Sequence, residues 1–169
     1  MAIMPTTTAF RVCFVCTGNI CRSPMAESVF RARVTEAGLG DLVRVDSAGT
    51  GGWHEGNGAD PRTVSVLEAN GYDPTHTARQ FRAEWFTRLD LVIALDGTHL
   101  RDLRRLAPTQ DDAAKVLLLR SYDPGATDLD VPDPYYGDMQ GFEDCLEMVE
   151  TASEGLLAVV RDLVEERAA

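Results

Sequence analysis

Lysine is nearly absent from this sequence. Among 169 residues there are 16 cationic side chains, only one of them a lysine (Lys115), against 27 carboxylates, for a formal net charge of −11. An acidic chain with no basic cluster is poorly suited to nucleic acid or to an anionic membrane surface, so neither is expected as a partner. An anionic substrate would need a local positive site built for it. Long apolar runs are missing as well, and nothing approaches the ~20 residues of a membrane span. Residues 1–9 lack a basic segment and an apolar core, so no secretory signal is expected there; they read as a loose N-terminal arm. There is no repeat, low-complexity tract or linker. Cysteine is sparse too: 4 residues do not make a disulfide framework, and reduced thiols in a cytoplasmic protein are expected. What remains is 44% hydrophobic and 25% charged, which argues against wholesale disorder. A chain this long buries roughly 70% of its unfolded surface and can fold without covalent staples. Residues 1–169 are therefore read as a single domain, with a monomer as the default.

Strand-like and helix-like segments alternate. Arg11 to Val15 is a short apolar run. Met25 to Ala37 repeats apolar residues at three and four positions and stops at Gly38, with Pro24 suited to the first helical turn. Leu42 to Ser47 reads as a strand, followed by a polar, Gly-rich loop from Gly49 to Ala59. Asp60-Pro61 looks like a helix cap with proline at the first helical position, and Gly71 closes that helix. Leu89 to Leu95 is a near-continuous apolar strand, as expected where both faces are covered. Thr98 to Leu106 is a short helix, Lys115 to Leu119 a fourth strand, and Ser121 to Tyr136 a loop with three prolines. Phe142, Leu146, Val149, Leu156, Val160 and Val164 place a stripe on a long closing helix. The pattern predicts an α/β fold with a parallel sheet and helices on both faces. In such sheets ligands bind at the carboxyl ends of strands, where strand order reverses. Cys16, Ser47 and Asp96 all fall at such ends.

The stretch Val15-Cys16-Thr17-Gly18-Asn19-Ile20-Cys21-Arg22-Ser23-Pro24 lies between a strand and a helix. A tight loop there points backbone N–H groups inward and adds the positive end of the helix, forming an anion cradle. Gly18 and Asn19 tolerate unusual backbone angles. Arg22 brings a planar fork that can hold two phosphate oxygens. Cys16 sits at the base of this ring, where helix termini and cations favour the thiolate, and Ser23 could donate a hydrogen bond to it. The nucleotide-binding Gly-x-x-x-x-Gly-Lys is absent. Cys13 and Cys16, three apart on a strand, point to opposite faces, so redox or zinc pairing is disfavoured and Cys13 is expected to be a buried small hydrophobe.

Cys-x5-Arg-Ser-Pro near one end, with Asp133-Pro134-Tyr135-Tyr136 near the other, resembles the low-molecular-weight protein tyrosine phosphatases. Ser47-Ala48-Gly49-Thr50, Asp60-Pro61-Arg62, His76 with Ala78-Arg79-Gln80, and Ser121-Tyr122-Asp123-Pro124 extend the match from Phe10 to Val164. The resemblance implies a three-layer sandwich around a four-stranded parallel sheet, flavodoxin-like, that hydrolyses phosphotyrosine without metal or other cofactor. It implies Cys16 as nucleophile, Arg22 and the amides of Thr17 to Ser23 (Thr17, Gly18, Asn19, Ile20, Cys21, Arg22, Ser23) as the phosphate site, and Asp133 as general acid and base. Asn19, Ser23, Ser47 and His76 would support the loop, and Ile20, Trp53, Tyr135 and Tyr136 would line the substrate cleft. Cys21 would close a disulfide with Cys16 and protect it from over-oxidation. The partner is then a phosphotyrosine protein, with inorganic phosphate and other oxyanions as inhibitors. His54 and His99 read as surface residues.

Three other readings share the scaffold. A thiol arsenate reductase needs further cysteines, yet none lies between Cys21 and Cys145. Protein arginine phosphatases typically carry Thr where Ile20 stands and lack the aromatic pair. A phosphotyrosine reader would need neither Cys16 nor Asp133.

Overall fold

The computed structural model describes residues 9–168; most of the expected N-terminal arm lies outside them. Four strands form one parallel sheet in the order β2-β1-β3-β4: β1 (Phe10–Cys16), β2 (Val43–Gly49), β3 (Leu91–Ala94) and β4 (Val116–Leu118). β1 is central, with Val12 opposite Val45 on one side and Leu91 on the other. The helices are α1 (Arg22–Glu36), α2 (Pro61–Ala69), α3 (Gly97–Leu106), α4 (Gln110–Ala114) and α5 (Met139–Ala168). The alternation along β1 decides the layers. Val12, Phe14 and Cys16 join α1, α2 and α5 in one core, whereas Cys13 and Val15 join Phe86, Val92 and Leu103 of α3 in the other. Cys13 is fully buried, as expected of a small hydrophobe. Phe14 and Phe30 meet edge to face with centroids 5.5 Å apart, tying β1 to α1.

Sequence rules account for most element ends. Asp60 caps α2, its side chain accepting from the Arg62 amide at 2.8 Å, and Pro61 stands at the first helical position. Gly38 and Gly71 adopt positive φ angles of 75° and 80° after α1 and α2, the left-handed turn that glycine makes without strain. The stripe on the closing helix is buried from Phe142 to Val164 as its spacing predicts. Three differences stand out. α1 begins at Arg22, so Pro24 sits in its first turn and Arg22 is itself helical. A 3₁₀ turn at Ala83–Thr87 and the short α4 carry too few residues for a periodic signal. Among the described residues no helix is long and apolar enough to cross a membrane. Strand order reverses between β2 and β3 around β1, which sets the loop after Cys16 over the crevice.

Candidate active site

The loop after β1 is turned inside out by its neighbours. Thr50 N–H donates to the Cys16 carbonyl at 2.8 Å, Gly51 N–H to Thr17 at 3.0 Å, and Asp60 N–H to Ile20 at 2.8 Å. His76 Nε2 donates to the Asn19 carbonyl at 2.6 Å. Four carbonyls are thus held outward, and no backbone carbonyl accepts from the N–H groups of Thr17 to Cys21 among the described residues. This arrangement leaves the loop N–H groups free in the way an anion cradle requires. Asn19 takes the left-handed conformation, φ 56°, which asparagine tolerates. Gly49 is needed for closeness: a Cβ there would lie 2.7 Å from the Thr17 carbonyl oxygen.

A directed hydrogen-bond chain ends on Cys16. The Asn19 amide nitrogen donates to Ser23 Oγ at 2.8 Å and to Ser47 Oγ at 3.0 Å. Ser47 passes its own proton to Glu27 Oε1 at 2.6 Å. Asn19 Oδ1 accepts from the Arg79 amide at 3.0 Å, which fixes the orientation of the side-chain amide. Ser23 Oγ therefore receives from Asn19, and its own proton has two acceptors in reach, Cys16 Sγ at 2.8 Å and, longer, the Ala48 carbonyl at 3.4 Å. Asn19, Ser23, Ser47 and His76, expected to support the loop, meet at it.

Arg22 is almost completely buried. Its NH1 donates to Asp96 Oδ2 at 2.8 Å and to the Val131 carbonyl at 2.9 Å. Its NH2 stands 3.7 Å from Asp133 Oδ2, whose side chain is 44% exposed and free to reach a ligand. Burial opposes the charge on Arg22, but Cys16, Asp96 and Asp133 more than offset it and hold the guanidinium above its ordinary value. Burial also pushes Asp96 upward, yet the His99 amide and Arg22 together leave it below the usual carboxylate range. The segment leading to Asp133 is anchored on both sides: the Val131 N–H donates to Leu95 at 2.9 Å, and the Cys145 thiol to the Pro132 carbonyl at 3.2 Å. Burial raises Cys145 to about 11 and Cys21 to about 12, so both stay protonated thiols at neutral pH.

Above Cys16 opens a cleft of about 360 Å³, lined by Thr17, Gly18, Ile20, Cys21, Arg22, Trp53, His54, Asp133, Tyr135 and Tyr136. All four cleft residues expected from the sequence are there. Trp53 is 76% and Tyr136 91% exposed, so the aromatic walls stand free. Two histidines correct the sequence reading. His54 is half-buried and packs against Gly18, where a Cβ would lie 3.0 Å from its ring. His99 is not a surface residue but is 1% exposed, its Nε2 2.8 Å from Thr17 Oγ1. Its Nδ1 lies 3.2 Å from Asp96 Oδ1 without a well-aligned hydrogen bond. The signal was present: Asp96 ends a strand and caps α3, accepting from the His99 amide at 3.0 Å. The first turn of α3 must then face the same crevice, and His99 lies on it.

The geometry agrees with comparisons to known proteins. A family model described as low molecular weight phosphotyrosine protein phosphatase matches residues 11–167, and the chain belongs to that family. It is 74% identical, over 95% of its length and 99% of the relative's, to a low molecular weight protein-tyrosine-phosphatase from Streptomyces coelicolor. The fold is similar to that of a crystallised protein tyrosine phosphatase from Entamoeba histolytica with Hepes in the active site: TM-score 0.88, 32% identity, covering 91% and 98% of the two chains. It is also similar to a Drosophila arginine phosphatase, at TM-score 0.82 and 33% identity over 88% and 96% of the two chains.

His99 gives the site a pH signature. Burial, then the Arg22 cation, hold its imidazole down at about 4, against 6.5 ordinarily. Between those values the unfolded chain binds a proton that the folded chain refuses, so stability is full above pH 6.5 and falls as the pH drops towards 4. His76, also lowered by burial, acts in the same direction. In urea titrations from pH 4 to 7, His99→Gln should flatten the wild-type dependence by about 3 kcal/mol. Parallel wild-type and mutant curves would refute the assignment.

Proposed function

We propose that the chain is a protein tyrosine phosphatase acting through a phosphocysteine on Cys16, with residues 1–169 forming one catalytic unit. The observation that carries it is Cys16 Sγ, 2.8 Å from Ser23 Oγ, at the floor of an outward-pinned loop closed by Arg22. Sulfur attacks phosphorus as the bond to the aryl oxygen breaks. Asp133, 3.7 Å from Arg22 and exposed to the cleft, gives its proton to the departing phenolate. It then takes a proton from the water that displaces sulfur, releasing phosphate and restoring the thiolate. Arg22 and the amides of Thr17 to Ser23 hold the equatorial oxygens throughout. Inorganic phosphate and other oxyanions should bind the same cradle as inhibitors; in the Entamoeba relative a Hepes molecule, a sulfonate, occupies the active site. The substrates are phosphotyrosine proteins of the cytoplasm, and the enzyme acts as a monomer.

The aromatic lining of the cleft supports an aryl phosphate. Trp53, Tyr135 and Tyr136 rise around the cradle, and Ile20 adds an apolar edge. The arginine phosphatase is the second reading, because an arginine phosphatase shares the fold; Ile20 and the aromatic pair favour tyrosine. Phosphate release should be measured from phosphotyrosine and phosphoarginine peptides in the presence of chelator. Fast release from phosphotyrosine should be abolished in Cys16→Ser. Asp133→Ala should lose turnover by roughly 10²–10⁴-fold while keeping affinity for vanadate. Preference for phosphoarginine would overturn the substrate, and no release from either peptide would overturn the enzyme.

Cys21 protects the nucleophile in this reading. Peroxide converts the Cys16 thiolate to a sulfenic acid, releasing hydroxide. The Cys21 thiol then displaces water to form a disulfide, which a thiol reductant reopens. Dithiothreitol should restore activity after mild peroxide in wild type, whereas Cys21→Ser should lose it permanently. Equal, irreversible loss in both proteins would sink the role of Cys21.

A further inference from the structure

One cation in this acidic chain has more partners than its helix position requires. Arg62 lies in the first turn of α2, yet its side chain reaches back and across. Nε and NH2 grip both oxygens of Asp60, at 3.1 and 3.0 Å, in a fork. NH1 donates to the Gly137 carbonyl at 3.3 Å, 75 residues along the chain. The guanidinium carbon lies 5.4 Å from the centre of the Tyr135 ring and 4.4 Å from that of Phe142. Both distances fall within the range where a cation is held by an aromatic face.

The two ends of this arrangement belong to different parts of the site. Asp60 donates its N–H to the Ile20 carbonyl at 2.8 Å, so it is one of the pins of the phosphate loop. Gly137 ends the turn that carries Tyr135 and Tyr136, its N–H donating to Pro134 at 3.0 Å. Tyr135 and Tyr136 meet edge to face at 4.9 Å, so holding one ring orients the other. Phe142 is fully buried at the start of α5 and gives Arg62 a fixed floor. The exposed aromatic wall has no covalent link to the cradle within 100 residues; Arg22 reaches its loop at Val131 and Asp133, and Arg62 reaches the Tyr135 turn itself.

We infer that Arg62 is a positioning residue that fixes the Tyr135 wall relative to the phosphate loop, and thereby sets the preference of the cleft for aryl over alkyl phosphates. The inference rests on the phosphatase reading of the site. Lysine cannot replace it: a point cation has neither the fork for Asp60 nor the plane to lie between two rings. The helix cap survives substitution, because Asp60 accepts from the Arg62 backbone amide.

The test is direct calorimetric titration of phenylphosphonate and methylphosphonate into wild type and Arg62→Lys, with turnover of p-nitrophenyl phosphate followed alongside. Arg62→Lys should lower the phenyl-to-methyl affinity ratio by roughly 3- to 10-fold, the size of a lost cation–ring contact. Affinity for methylphosphonate should stay at the wild-type value. The same substitution in a Tyr135→Leu background should leave the ratio unmoved, since the residue it positions is gone. An unchanged ratio, equal weakening of both ligands, or the same effect in the Tyr135→Leu background would each overturn the inference. Failure of the phosphatase reading would show separately, as absent wild-type turnover.

Discussion

Everything in the site depends on a buried cation that is not fully neutralised by one partner. Isolated, a guanidinium as enclosed as Arg22 would cost several kcal/mol. The fold answers with Asp96 at 2.8 Å and the Val131 carbonyl, both on one edge of the fork. The other edge is left towards Cys16 and the cleft, with Asp133 at 3.7 Å. Three elements are thereby fixed at once: the start of α1, the end of β3 and the loop that carries the acid. Truncating Arg22 would release all three, which fits its place in a helix rather than on a loop tip.

The sequence showed the chemistry more readily than its surroundings. The loop from Cys16 to Arg22 was legible because a strand, a tight loop and a helix start are local features with local residue signatures, whereas Asp133 was read only through the resemblance of Asp133-Pro134-Tyr135-Tyr136. The capping of α2 by Asp60 and the stripe of α5 were legible for the same reason. His99 was not: its burial follows from how the first turn of α3 packs on Thr17, 82 residues away. Arg62 is a similar case, since Tyr135, Gly137 and Phe142 meet it only in the tertiary structure. The 3₁₀ turn and α4 were missed for want of length. What one sequence hides is long-range pairing between polar groups, which obeys no period.

The support around Cys16 is polar yet fully connected, and that is why it can be rigid. Glu27, Ser47, Asn19 and Ser23 form a connected chain of hydrogen bonds that reaches Cys16. A half-satisfied network would be worse than an apolar filling. The last member of the chain, Ser23 Oγ, lies 2.8 Å from sulfur. His76 and Arg79 fasten the same asparagine from outside, through its carbonyl and its side-chain oxygen. Specific geometry at Asn19, including its positive φ, is therefore over-determined, as a strained functional backbone needs to be.

The net charge of −11 then becomes intelligible. Arg22 is the only lysine or arginine lining the cleft among the described residues, and Asp96 sits beside it. A thiolate at Cys16 would add a further negative charge to the floor. Formal charges alone would therefore repel a phosphate dianion. Attraction has to come from dipoles: the inward amides of Thr17 to Cys21 and the positive end of α1, acting at contact distance where the diffuse field of the acidic surface is screened by salt. Those dipoles exist only while the four loop carbonyls are held outward by Thr50, Gly51, Asp60 and His76. The anion site is thus a property of the backbone fold more than of side-chain charge, and it is compatible with an acidic protein because it works at contact range.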